Sequence, residues 1–241
     1  MLFGTLGAIY PKADWLPRPL RAKATLLSLA EDGASAYAQA VGVTSPEMRG
    51  RLYSDAFKRA RGDYRAEEHV ERLMREAPAQ TGLDAAQYAD LKFFLPGDIL
   101  TKVDRASMAV SLETRAPMMD RNFVRLALAF SSDEKLKGMQ TKAVLKDAAA
   151  PLLPAHIIHR PKKGFGMPVA AWLSGPLRET VEDLFTPEKL ETDGIFEAKT
   201  VRKLMTQHFK KKRNHRKTLW AILMYQWWRH RVHPQRASRA A

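Results

Sequence analysis

The sequence predicts a mainly α-helical protein. Apolar residues recur at i, i+3, i+4 and i+7 in several segments, capping residues and prolines punctuate those segments, and no alternating β-branched run of strand length occurs. No internal repeat at a solenoid period is visible.

Taken in order, residues 1–20 are interrupted by Pro11, Pro17 and Pro19 and carry Trp15, which predicts an irregular arm. Residues 20–30 and 33–41 read as two short helices divided at Asp32-Gly33. Ser45-Pro46-Glu47 has the order of an N-cap followed by a first-turn proline, with Leu52, Tyr53 and Phe57 available for core contact. A charged helix over 63–76 and a loop over 78–82 follow. A helix over 83–94 has Asp84 as its expected cap and Tyr88, Leu91 and Leu95 at helical spacing.

Pro96 and Gly97 are expected to break that helix, and Asp98 to cap a new one starting near Ile99. At about 100° per residue, Ile99, Val103, Ala106 and Val110 share a side expected to be core. Thr101, Asp104, Ser107 and Ser111 share the other as a polar wall, with Met108 among them and expected to pack rather than touch ligand. Pro117 favours extended backbone at Ala116, so Glu113 and Arg115 fall on a short irregular arm beyond the helix. Asp120 is the expected cap of a helix bearing Phe123, Leu126, Ala127 and Phe130 at i, i+3, i+4 and i+7. Helical segments over 141–149, 176–185, 196–209 and 214–229 complete the reading. It divides the chain into an irregular arm (1–20), a helical core (21–200) and basic C-terminal helices and tail (201–241).

Composition narrows the function classes. With 45% hydrophobic and 27% charged residues the chain reads as a soluble globular protein able to bury a core. No apolar run approaches the roughly 20 residues that span a bilayer. The apolar start lacks a basic region and a cleavage site, so no signal peptide is expected and the expected compartment is the cytoplasm. Cysteine is absent, which excludes disulfides, Cys-ligated zinc and a cysteine nucleophile. The seven histidines show no metal-ligand spacing, so no metal-ligating residues are nominated. Of the net charge of +14, residues 201–241 hold twelve Lys or Arg and no Asp or Glu, which leaves +2 for the first 200 residues.

Three ordered blocks carry a family resemblance. The first is Lys102-Val-Asp-Arg-Ala-Ser-Met108 with Ser111-Leu-Glu-Thr-Arg-Ala-Pro117 and Asp120. The second is Arg160-Pro-Lys-Lys-Gly-Phe-Gly-Met-Pro168, and the third Asn214-His215 with Leu219-Trp220 and Trp227. Together they resemble the C-terminal part of the synthetase domain of glutamine-dependent asparagine synthetases, in particular the amidotransferase branch associated with bacterial exosortase systems. The resemblance implies the helical C-terminal portion of an α/β adenine-nucleotide α-hydrolase-like (PP-loop) domain, with the parallel-sheet ATP half missing from the sequence. It also implies ATP-dependent adenylation of an aspartate-like carboxylate followed by amide formation with ammonia.

The same resemblance implies ATP and Mg as cofactors. The loop that would grip the phosphates, Ser-Gly-Gly-X-Asp-Ser, does not occur, and the sequence has no Gly-Gly pair. The family's glutaminase cysteine does not occur either. The implied partners are therefore an N-terminal nucleotide-binding half, a glutaminase domain and a small-molecule carboxylate, and the chain is expected to be inactive alone. Phe3, Leu6 and Ile9 are candidates for the severed interface.

By the resemblance, Lys162 matches the lysine that stabilises charge on the departing pyrophosphate, an electrostatic role whose loss typically costs about 10²-fold or more. A solvated loop is the bland reading of Lys162, and plain exposure that of Lys163. Glu113 matches the acid of the family's Glu-X-Arg-X-Pro motif. A catalytic or positioning role and an ion pair with Arg115 stay equally open. By the resemblance, Asp104, Arg105, Arg115 and Lys163 are assigned to site architecture, with an internal salt bridge as the alternative for the first two. Trp220 is expected in the core. A different class of function, a nucleic-acid-binding or interaction module, rests on Lys210-Lys-Lys-Arg213, Arg216, Lys217 and Trp227-Trp228. Because basic runs are usually solvated faces, nucleic acid is not the expected partner.

Overall fold

The computed structural model describes residues 32–161, 164 and 166–232. The helices begin with α1 (Gly33–Val41), α2 (Pro46–Leu52), α3 (Asp55–Arg61), α4 (Glu67–Arg75) and α5 (Gly82–Ala89). A π-helical stretch, Asp90–Leu100, leads into α6 (Thr101–Met108), and a 3₁₀ turn, Pro117–Met119, precedes α7 (Arg121–Ala129) and α8 (Ser132–Lys135). The strands β1 (Leu136–Lys137) and β2 (Gln140–Thr141) pair antiparallel, with Leu136 opposite Thr141 and Lys137 opposite Gln140. Then come α9 (Ala143–Ala149), α10 (Ala155–Ile158), α11 (Val169–Ser174), α12 (Arg178–Leu184), α13 (Pro187–Asp193), α14 (Ala198–Phe209) and α15 (Arg216–Val232). The mainly α-helical prediction holds, and the two short strands are the only strands among the described residues. The helix expected over 20–30 lies outside the described residues, as do Phe3, Leu6 and Ile9.

The chain divides into two units, Met1–Ala40 with Ala66–Lys163 and Val41–Arg65 with Gly164–Ala241. In the described part of the second, α2, α11, α12, α13, α14 and α15 enclose one core containing Leu173, Phe185, Leu190, Val201, Leu219 and Leu223, each at most 1% exposed. Helix α15 supplies Leu219, Ile222, Leu223 and Gln226, one stripe at helical spacing. Two distant segments are tied by backbone: Glu197 N–H donates to the Leu52 carbonyl (2.8 Å) and Ser54 N–H to the Ile195 carbonyl (2.9 Å). The approach depends on Gly194, which ends α13 at φ 67°, a left-handed position that favours glycine.

Charge is buried beside this core. The Asp193 side chain is fully enclosed, with Arg229 Nε 3.2 Å and His230 Nε2 3.4 Å away, so the end of α13 is clamped to the end of α15. Gln226 is wholly buried, and neither its amide nitrogen nor its oxygen has a hydrogen-bond partner among the described residues.

The first unit has a small core of Ala38, Val70 and Ala89, with Tyr37, Leu73 and Met74 packed on it. Its remaining order comes from polar ties. The Tyr37 hydroxyl donates to Asp90 Oδ1 at 2.6 Å. Lys135 Nζ reaches Asp84 Oδ1 and Gln87 Oε1, each at 3.2 Å, which holds α8 against α5. Helix α5 is capped by Thr81, whose hydroxyl accepts from Asp84 N–H; Asp84 is inside the first turn and is not the cap.

Two expectations for the central stretch are corrected. Pro96 and Gly97 do not break the helix, and Asp98 does not cap a new one. The chain continues from α5 through the π-helical turns into α6 with Pro96 inside. The wider i→i+5 turn accommodates a ring that lacks an N–H, and the Thr101 hydroxyl donates to the Pro96 carbonyl at 2.7 Å. Nor is the side bearing Ile99, Val103, Ala106 and Val110 a core face. No residue from Asp90 to Lys142 is buried, and α6 and α7 contain no buried residue. Met108 likewise is exposed where packing was expected, whereas Trp220 packs against the core of the second unit.

Candidate active site

The nominated residues are set by two local devices. Helix α6 ends at Met108, and Ser111 turns the chain with φ 57°, a left-handed value uncommon outside glycine. Residues 112–116 then run without regular structure until Pro117 opens the 3₁₀ turn. Asp120 stops that turn and accepts from the backbone N–H of Asn122 (2.9 Å) and Phe123 (3.1 Å), which starts α7 as expected. Glu113 and Arg115 therefore sit on an irregular connection between two helices.

Within it, Arg115 Nε donates to Glu113 Oε1 at 2.6 Å, and Nη2 lies 2.6 Å from the same oxygen. The side chains are 69% (Glu113) and 88% (Arg115) exposed. Asp104 and Arg105 on α6 are 3.9 Å apart and also exposed. Asp98 faces Lys102 at 3.6 Å. Each pair joins residues at most four apart, and solvated pairs of this kind contribute about 0–1 kcal/mol. Lys162 and Lys163 lie outside the described residues, between Arg160-Pro161 and the turn in which Gly166 N–H donates to the Gly164 carbonyl.

Chemically, Glu113 is a carboxylate whose direction is fixed by the neighbouring Arg115 guanidinium. Acid/base work on an activated acyl group needs such a carboxylate in a site closed to water. The described residues do not close it. Around the pair, Val110, Leu112, Met118 and Met119 are all exposed, Val110 by 74%. The motif stretch is thus an apolar surface with charged groups set into it.

Comparison with known proteins shows the family of the chain. The model of the family described as asparagine synthase matches residues 4–230. The chain belongs to the asparagine synthase family. Among curated relatives of the family, asparagine synthetase (glutamine-hydrolyzing) 1 of Bacillus subtilis is 30% identical over 153 residues, 64% of this chain and 24% of that protein. A Mycobacterium bovis relative is 34% identical over 155 residues, 62% of this chain and 24% of its own length. Asparagine synthetase (glutamine-hydrolyzing) 1 of Saccharomyces cerevisiae is 31% identical over 100 residues, 36% of this chain and 17% of that protein. The chain thus spans about a quarter of the length of the first two asparagine synthase relatives. No solved structure gives a significant match. Among the described residues no helix is long and apolar enough to cross a membrane.

One feature of this asparagine synthase-family chain escaped the motif reading. An open groove of about 390 Å³ in the second unit is lined by the cations Lys199, Arg202, Lys203, Lys210 and Lys212, with Thr206 and Gln207 between them. The sequence reading noticed the run 210–213 with Arg216 and Lys217, but not Lys199, Arg202 and Lys203. Their signal was the 0, 3, 4, 11 spacing on the face opposite Val201, Leu204, Met205 and His208.

Proposed function

We propose that this chain forms the helical wall of an amide-forming site that works only when joined to a nucleotide-binding half. An aspartate-like carboxylate is adenylated at the expense of ATP, and ammonia then displaces AMP to give the amide. The observation that carries the reading is the run from Asp90 to Lys142: it holds the first family block, none of it is buried, and it exposes large apolar side chains that include Phe93, Val110, Leu112, Met118 and Leu126. A surface of that extent is characteristic of an interaction face, and the occupant proposed is the nucleotide-binding half that supplies the phosphate loop and the carboxylates for Mg. A glutaminase domain supplies ammonia.

In this assembly Lys162 meets the leaving pyrophosphate and Glu113 performs proton transfer or positioning at the acyl centre. Arg115 orients Glu113, while Asp104 and Arg105 with Lys163 shape the surrounding wall. The carboxylate acceptor is aspartate in the type reaction, and the exosortase-associated likeness extends the candidates to other carboxylates.

The test is ATP–pyrophosphate exchange dependent on aspartate. The purified chain shows none. Combined with the part of the Bacillus subtilis relative that lies outside the 153 matched residues it supports exchange, and Lys162→Ala or Glu113→Gln lowers the rate by about 10²-fold or more. Robust exchange by the chain alone would overturn the dependence on a partner, and a complemented chain indifferent to both substitutions would overturn the residue roles.

A further inference from the structure

Helix α14 is two-faced in an unusual way. One face, Val201, Leu204, Met205 and His208, is buried in the second unit's core. The other carries Lys199, Arg202, Lys203, Thr206 and Lys210, which at about 100° per residue fall within roughly 100° of one another. At about 1.5 Å rise per residue this stripe runs about 16 Å along the helix.

The turn after α14 extends the stripe into a concavity. Lys211 takes φ 54°, the left-handed position usually held by glycine at a helix end. Its N–H donates to the His208 carbonyl (3.0 Å) and that of Lys212 to the Gln207 carbonyl (2.9 Å), which folds the chain back so that Lys212 faces the groove. The turn is held from beneath: His215 N–H donates to His208 Nδ1 at 3.2 Å, and His215 Nε2 lies 2.8 Å from Gln207 Oε1. A strained lysine fixed by hydrogen bonds among buried His208 and half-buried His215 and Gln207 is an ordered arrangement of charge.

That charge is uncompensated. None of the five groove cations forms an ion pair with a described residue, and no Asp or Glu occurs after Glu197 in the sequence. No apolar side chain lines the groove, so it has nothing to insert into a lipid surface, and no aromatic ring lines it for stacking on unpaired bases. Four of the five cations are lysines, point charges without the bidentate fork of arginine. Such a surface selects for density and regularity of negative charge. A duplex presents a charge per about 1.7 Å of axis, twice the density of one strand.

We propose that this groove docks the phosphate backbone of a nucleic-acid duplex without reading its sequence. The proposal is independent of the amide-forming reading, because the groove contains none of the residues assigned to that reaction.

The test uses the full chain, a fluorescently labelled 20-base-pair duplex of random sequence, and anisotropy between 50 and 200 mM salt. With five cations engaged, log K against log salt has a slope of about −4.5, equivalent to a roughly 500-fold loss of affinity across that range. Lys199→Gln/Lys203→Gln makes the slope shallower by about 2, while the charge-matched control Arg236→Gln/Arg239→Gln leaves it unchanged. Thr206→Glu, which places a like charge among the phosphates without removing a cation, weakens binding at 50 mM salt by at least about tenfold. Lys199, Lys203 and Thr206 are exposed, and a melting curve confirms folding. The proposal is overturned by no duplex binding at 50 mM salt, by equal effects of the groove and control variants, or by tighter binding to single strands. Tighter binding to phosphatidylserine vesicles or polyglutamate of matched charge overturns it as well.

Discussion

Helices α7 and α14 carry the same pattern with opposite outcomes. Phe123, Leu126, Ala127 and Phe130 stand at i, i+3, i+4 and i+7, as do Val201, Leu204, Met205 and His208. The second set is buried at 9% exposure or less, yet Leu126 is 59% exposed. Periodicity makes a helix two-sided; it does not provide the surface against which the apolar side packs. In the second unit that surface is supplied by α11, α12, α13 and α15, and for α6 and α7 none of the described residues supplies it. The difference separates a part of the chain whose apolar side is covered from a part whose apolar side is left exposed.

That contrast can be broken most forcefully at its buried end. Leu219→Ala, at a side chain with no exposure, is expected to lower unfolding free energy by about 3–4 kcal/mol, whereas Leu126→Ala costs less than about 0.5 kcal/mol. Comparable losses in urea denaturation would show that α7 is packed after all. Asp193→Ala leaves Arg229 facing an enclosed space and is expected to cost about 3 kcal/mol, read from the denaturation midpoint. An effect below about 1 kcal/mol would mean that the clamp between α13 and α15 is open to water.

Smaller effects sharpen the comparison. Gln226→Met replaces an unpartnered buried amide with an apolar chain of similar length, and a gain of about 1–2 kcal/mol is expected. A loss would reveal an amide that is satisfied in solution. In the first unit, burial and then the hydrogen bond and charge of Asp90 push the Tyr37 hydroxyl up to about 12. Because the folded value lies above the ordinary one near 10, this contribution is present in full below pH 10 and is lost as pH rises through about 12. Alkaline unfolding should therefore fall in that window. Tyr37→Phe should remove the dependence at a cost of about 1 kcal/mol at neutral pH. An unchanged alkaline limb in the variant would assign it to another group.

Much of the helical order was legible in advance because its signals are local. Ser45-Pro46 caps α2 through the Met48 N–H, Asp120 caps α7, and α1 spans the predicted 33–41. The reading failed at Pro96 because helix-breaking rules assume the i→i+4 turn that the chain abandons there. It failed again at Val103 and Val110, where apolar spacing was equated with burial. For the candidate site, the motif residues Asp104, Arg105, Glu113 and Arg115 could be picked out from the order of their blocks. Of the groove on α14 only the stripe at 199, 202, 203 and 210 had a local signal, and Lys212 joins it only through a left-handed turn at Lys211.

The sequence by itself determined the helical class, the caps at Ser45 and Asp120, the absence of cysteine chemistry and the family, since each depends on residues close together or on composition. Tertiary structure alone decided which apolar faces are covered, that Asp193 is sealed beside Arg229 and His230, and that lysines on one helix and its following turn share a groove. Burial and electrostatic fields are sums over neighbours distant in sequence, and no local pattern encodes which neighbours arrive.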